Sequence, residues 1–243
     1  MANLNSSAPS YHLWNQLLQH YVDRQGRVDY QLWKAEASEP LFNWLEECSA
    51  VTIQTLTEDE QLTFWLNLYN ALVIAQILPR YPIASIRPKV LGVPNWLQLF
   101  RFFSRPVFSM QGQNYSLNAI EHGIIRSQFG EPRIHFALVC AAIGCPLLRN
   151  EAYYPDRVGQ QLAEDADRFI NNPAKVHYAA AQNILHCSQI FKWYGKDFLT
   201  VSDSIADYLR GYFRGASELP EAVKVSYLPY DWGLNQQLQR TSS

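Results

Sequence analysis

The stretch Thr57-Glu58-Asp59-Glu60, followed by QLTFWLNLYNALVIAQIL, constrains this chain more than any other. A Thr followed by three acids, the last of them Glu60, is the pattern of a capping box at a helix start. Negative charge there also suits the helix dipole. The segment it opens, 58 to 78, is apolar nearly all round, so it has no face for water and belongs at the centre of a fold. Its apolar part, 64 to 78, is about 15 residues long and holds two Asn and a Gln, short of the roughly 20 a membrane span needs. Thr63, Asn67 and Asn70, with Tyr69 alongside, form a polar stripe on this helix. A buried amide without a partner costs about 1–3 kcal/mol. The stripe therefore ties down irregular backbone, such as the loop 80 to 115, or lines a cavity.

Around this centre, helical spacing predicts helices over 11–22, from VDYQLWKAEA to before Pro40, and over 41–50, 116–129 and 155–171, with another in SIADYLRGYF. Strands are expected near 107–110 and at Tyr115, on either side of the turn QGQN. Others are expected over 133–140, 175–180 and 183–187, and in VKVSYLPYDW. The sum is α+β: a mainly helical single domain with a small antiparallel sheet built from the C-terminal half. Residues 1–56 read as a helical N-terminal extension packed on the domain and 57–243 as the core domain, with 1–10 a frayed tail.

A hydrophobic share of 48% against 17% charged excludes a disordered chain. Net charge is −2, and the basic residues of RFFSR, Arg101 to Arg105, are too short a run for a nucleic-acid footprint. Neither nucleic acid nor a membrane is expected as partner. The start MANLNSSAPSYHLW lacks the features of a secretory signal. Cysteines at 48, 140, 145 and 187 show no framework spacing. The expectation is a cytoplasmic protein with free thiols and no disulfide.

The chemistry concentrates in RIHFALVCAAIGCPLLR, residues 133 to 149. As a strand it would point His135 and Cys140 to opposite faces, against a dyad between them. The spacing H-x4-C-x4-C fits no common zinc pattern, so no metal and no cofactor are expected. Cys145 precedes Pro146, which places it at the N-cap of a short helix. Backbone N–H groups and the helix dipole would there stabilise a thiolate and could form an oxyanion hole. Against this stands the plainer reading of a small buried residue in a turn. A nucleophile needs a base, and Glu121-His122 lies in the preceding helix, with Arg126, Arg133 or Lys192 as partner for the carboxylate. The late segments IFKWYGKDF and YLPYDWGLN set Lys192, Asp197 and Asp231 among Trp193, Tyr230 and Trp232, the make-up of a ligand pocket. Asp231 also fits as the cap of its own turn. Cys48 and Cys187 read as core.

In order, FWLNLYNAL, SLNAIEHGIIR, RIHFALVCAAIGCPLLR, IFKWYGKDF and YLPYDWGLN resemble the domain-of-unknown-function 547 family, from about residue 57 to 235. The resemblance implies a family of bacteria, plants and animals without an established reaction. In plants the domain follows a leucine-zipper-like segment, and in some animal proteins it accompanies a glutaredoxin-like module, an association compatible with thiol chemistry. Where the family reads HFALNCG, this chain carries Val139 and Ala141.

The leading expectation is a cysteine-dependent hydrolase or acyl-transferase with a papain-like thiol/imidazole site. Cys145 is its nucleophile, His122 or His135 its base, and Glu121 or Asp231 its orienting acid. Asn67, Tyr69, Asn70, Arg149, Lys192, Trp193, Tyr230 and Trp232 are candidate contacts to a small molecule or peptide. The alternative is a non-catalytic ligand-binding or protein-interaction module, with the histidines away from any thiol. A third reading is a metal-dependent hydrolase through His122, Glu121 and His135.

Overall fold

Three helices open the computed structural model, which describes residues 8–237: α1 (His12–Tyr21), α2 (Tyr30–Glu36) and α3 (Ser38–Ser49). Most of the expected frayed tail, residues 1–7, lies outside the described residues. The three helices meet through indoles, Trp14 stacking on Trp44 at 5.5 Å and standing 6.0 Å from Trp33. The capping box then starts α4 (Glu58–Ile77): Thr57 Oγ1 accepts the Glu60 N–H, and the Glu60 carboxylate accepts the Thr57 N–H at 2.8 Å. From Leu62 on, α4 is buried on every side, as its apolar circumference predicts. Among the described residues it is the one helix apolar and long enough to cross a membrane, and here it lies inside the fold.

The stretch after α4, irregular by its sequence, contains a small hairpin and a helix. The strands β1 (Lys89–Val90) and β2 (Val93–Pro94) pair antiparallel, and α5 (Trp96–Ser104) follows, its first turn capped by Asn95. A second hairpin, β3 (Phe108–Met110) and β4 (Gln113–Tyr115), turns through Gln111 and Gly112 as QGQN predicts. The expected helix at 116–129 forms with an interruption. It runs as α6 (Leu117–Ile120), a π-helical turn over Glu121–Ile125, and α7 (Arg126–Phe129).

No strand forms over 133–140, which corrects the sequence reading. Pro132 starts a 3-10 turn, Pro132–Phe136, and the chain then continues as a loop. The Asn70 side chain on α4 grips that loop, donating to the Ala137 carbonyl at 2.9 Å and accepting the Val139 N–H at 3.0 Å. Those backbone groups are thus used by a side chain and not by a neighbouring strand. The alternation that would separate His135 from Cys140 does not apply.

A long helix, α8 (Val158–Ile170), leads to β5 (Val176–Ala179) and β6 (Ile184–Cys187), which pair antiparallel with Val176 opposite Cys187. The short helices α9 (Ile190–Trp193), α10 (Gly195–Phe198) and α11 (Ile205–Arg210) cross over to β7 (Lys224–Tyr227), which runs parallel to β6. The fold is α+β with its three-stranded sheet in the C-terminal half, and that sheet is mixed, because a helical crossover returns the chain in the same direction. Phe136, Phe169, Phe191, Phe198 and Tyr208 fill a second core beside this sheet. Finally, residues 228–237 run back across the molecule. Leu234 N–H donates to Ala84, Asn235 N–H to Ala141, and the Asn235 carbonyl accepts the Val28 N–H.

Candidate functional site

The π-helical turn inserts an extra residue into the helix at Glu121–Ile125, a device common at functional sites. It turns Glu121 inward. The buried carboxylate accepts O–H bonds from Tyr69 at 3.0 Å and Tyr194 at 2.6 Å. Burial first, and the Glu121 charge after it, hold both phenols well above their ordinary pKa, so they remain donors. His122, next in the turn, stays half-exposed. Its Nδ1 accepts an Arg126 N–H at 3.1 Å and stands 3.9 Å from Glu121.

His135 is buried flat against Tyr194, ring centres 3.8 Å apart, and its Nε2 meets Asp197 Oδ2 at 2.7 Å. Arg126 grips the same carboxylate with two bonds of 2.7 and 2.8 Å. The Arg126 bonds, with His135 contributing, hold Asp197 below the ordinary carboxylate range. Burial lowers the His135 pKa more than Asp197 raises it. The imidazole is therefore neutral, with Nε2–H donated to Asp197 and its lone pair on Nδ1.

Between these groups and the C-terminal aromatics lies a cavity of about 400 Å³. Glu121, His122 and His135 line it together with Trp96, Trp193 and Trp232, and Cys140, Cys145 and Tyr230 close one wall. Trp193 and Trp232 pack on Tyr230 at 4.8 and 4.6 Å.

Cys140 and Cys145 are joined as a disulfide, with Cα atoms 6.2 Å apart. This corrects two expectations, that the thiols are free and that Cys145 caps a helix. No helix follows Pro146, and the Cys145 N–H closes a turn onto Ala142. The turn that brings the sulfurs together uses Ala141 at φ 62°, where the family pattern carries Gly. The Cys140 N–H points at Cys145 Sγ (3.0 Å), and the Tyr230 hydroxyl lies 3.1 Å from the same sulfur and 3.3 Å from Cys140 Sγ. Among the described residues no hydrogen bond joins either sulfur to His122 or His135, and no three His, Cys, Asp or Glu side chains group to hold a metal ion.

Residues 53–170 match the family described as "Protein of unknown function, DUF547". These residues belong to the DUF547 family. No curated protein and no solved structure matches the chain. The DUF547 segment supplies Tyr69, Glu121, His122, His135 and both bonded cysteines. Tyr194, Asp197, Tyr230 and Trp232 lie beyond it, in two of the motifs that carry the resemblance.

Several candidate residues sit elsewhere. Asn67 spends its side chain on the Trp14 indole and on the Tyr153 backbone, and Asn70 is spent on residues 137 and 139; both fasten backbone. Arg149 is taken by Glu151, Glu164 and Asp165, away from this pocket. Lys192 points the other way, its Nζ 5.8 Å from the centre of the Tyr227 ring. Asp231 caps its own turn by accepting the Gly233 N–H at 2.8 Å. It faces a second cavity, of about 520 Å³, across the disulfide loop, beside Lys175. The Lys175 ammonium donates to the Ile143 carbonyl at 2.6 Å, and burial depresses its pKa to about 8.

Tyr194 and Trp96 are site residues that the sequence reading did not single out, and Asp197, named there among the charged groups of a ligand pocket, proves to be the partner of His135 and Arg126. Tyr194 and Asp197 stand three apart in IFKWYGKDF, a helical spacing that could have marked them as one face.

Proposed function

We propose that the aromatic pocket is the substrate site of a thiol-dependent enzyme of hydrolase or acyl-transfer type. Cys145 is the nucleophile, and the Cys140–Cys145 disulfide is its resting, oxidised form. One observation carries the reading: both cysteines, His135 (bonded to Asp197 behind it) and the Glu121–tyrosine cluster line one cavity. After reduction, the Cys140 N–H and Tyr230 O–H are donors that favour a thiolate at Cys145. Asp197 orients His135 so that Nδ1 is the basic nitrogen, the role of the third member of a nucleophile–base–acid set. The Cys145 thiol gives its proton to His135 Nδ1, the resulting thiolate adds to an acyl carbonyl, and the imidazolium so formed returns that proton to the leaving group as the carbonyl–leaving-group bond breaks. Water or a second acceptor then releases the acyl group from sulfur. Trp96, Trp193 and Trp232 suit an apolar or aromatic portion of the substrate. A cytoplasmic setting fits the same reading, since its reductants would open the disulfide and release the active thiol.

The test is hydrolysis of nitrophenyl acyl esters with and without dithiothreitol. Activity should need the reductant, vanish in Cys145→Ser, and persist without reductant in Cys140→Ala. Full activity in Cys145→Ser would overturn the proposal. A second reading, ligand binding without catalysis, is favoured by the missing sulfur–imidazole bond. It expects tryptophan fluorescence to report ligand binding that Cys145→Ser leaves unchanged, with no turnover.

A further inference from the structure

The β1–β2 hairpin and α5 present an apolar surface that nothing in the fold covers. Leu91, at the hairpin tip, is 99% exposed, and Val93, Trp96, Leu97 and Phe100 are each more than half exposed. Leu91 also adopts φ 51°, a conformation that costs an ordinary side chain about 1–2 kcal/mol and that Asn or Gly would take more readily. An apolar side chain is therefore held outward at the tip against both solvent and backbone preference.

Along the chain the charge on either side of it is of one sign, although Asp231 from the C-terminal segment lines a pocket beside Arg87 and Lys89. From Gln61 to Ile120 the chain has no acidic residue, while Arg80, Arg87, Lys89, Arg101 and Arg105 are basic, in a protein of net charge −2. Lys89, Arg101 and Arg105 are exposed, and none forms an ion pair among the described residues. Arg87 lies over both the Trp96 and Trp232 rings, at 4.6 and 4.8 Å.

From this we infer that the hairpin and α5 dock on an anionic lipid surface. Leu, Trp and Phe side chains beside Lys and Arg are the composition of an interfacial amphipathic helix, apolar groups entering the headgroup layer and cations meeting lipid phosphates and carboxylates. A second copy of the chain is the poorer occupant, because a two-fold contact would set this basic patch against itself. Trp96 belongs to the patch and also lines the pocket wall, so a docked molecule would hold that wall against the bilayer. This last consequence rests on the pocket being the substrate site and points to an amphiphilic acyl substrate.

The experiment is co-sedimentation of the full chain with phosphatidylserine-containing or pure phosphatidylcholine vesicles, at low and high salt. Binding should favour the anionic vesicles and weaken with salt. Neutralising Arg101→Gln or Arg105→Gln should cost about fivefold each in partitioning. The double variant Leu91→Ser, Phe100→Ser should abolish binding, with thermal midpoint and ester hydrolysis unchanged. No binding to anionic vesicles, equal binding to both, or a dimer in solution that Phe100→Ser dissociates would each overturn the inference. Vesicle binding is read without substrate, so it stands or falls apart from the thiol chemistry.

Discussion

Asn70 holds Val139: its side-chain oxygen accepts the Val139 N–H at 3.0 Å, and its nitrogen donates to Ala137 two residues earlier. The central helix thereby shapes the backbone that enters Cys140. Asn70→Ala leaves two buried backbone groups unpaired, at about 1–3 kcal/mol each. Urea denaturation should show a loss of about 3 kcal/mol, a Tm drop of roughly 10 °C for a chain of this size.

Ala141 sits at φ 62° in the turn that joins the two bonded cysteines. An L side chain pays for that conformation and glycine does not, although glycine loses more freedom on folding. Ala141→Gly should stabilise the protein by about 0.5–1 kcal/mol, measured as a higher urea midpoint at unchanged m. A lower midpoint would contradict the turn.

Cys48 and Cys187 are buried free thiols, while Cys140 and Cys145 are bonded to each other. Unreduced protein denatured in guanidinium should therefore react with two equivalents of a thiol reagent, and reduced protein with four. Reduction opens a short loop, so the loss of stability should be about 2 kcal/mol.

The His135–Asp197 pair makes acid destabilising. Burial favours neutral His135, whereas the unfolded chain takes up its proton near the ordinary value of 6.5. Stability present above that pH falls as acid is added, by at most about 1.4 kcal/mol per pH unit. Asp197, held below its ordinary 3.8, adds stability present above that value and lost as pH falls through its lower folded value. Thermal midpoints recorded against pH should decline below about 6.5, and His135→Asn should flatten the first part of that decline.

What could be read from the sequence was chemistry between near neighbours. The Thr57–Glu60 box and the apolar circumference of α4 are written in adjacent residues, and both formed. The aromatic wall was legible too, because Trp193, Tyr230 and Trp232 crowd into two short motifs. The run HFALVC failed because its backbone is held by Asn70 from a distant helix, and alternation carries no trace of such a partner. Asp197 was named as a pocket residue but its pairing was not legible, for the same reason: Arg126 and His135, which define its role, are more than sixty residues away. Glu121 was rightly placed at a core boundary. Its hydrogen-bond partners proved to be Tyr69 and Tyr194 rather than a cation on Arg126, Arg133 or Lys192.

The segment carrying Tyr230, Trp232 and Asn235 reaches back to Val28, Ala84 and Ala141. A ribosome makes those earlier loops long before it makes their clasp. The pocket therefore has no closed wall while the chain is being synthesised, and the two cysteines emerge well ahead of the tyrosine that will cover them. Oxidation of the pair in the growing chain would meet an open loop rather than a finished pocket.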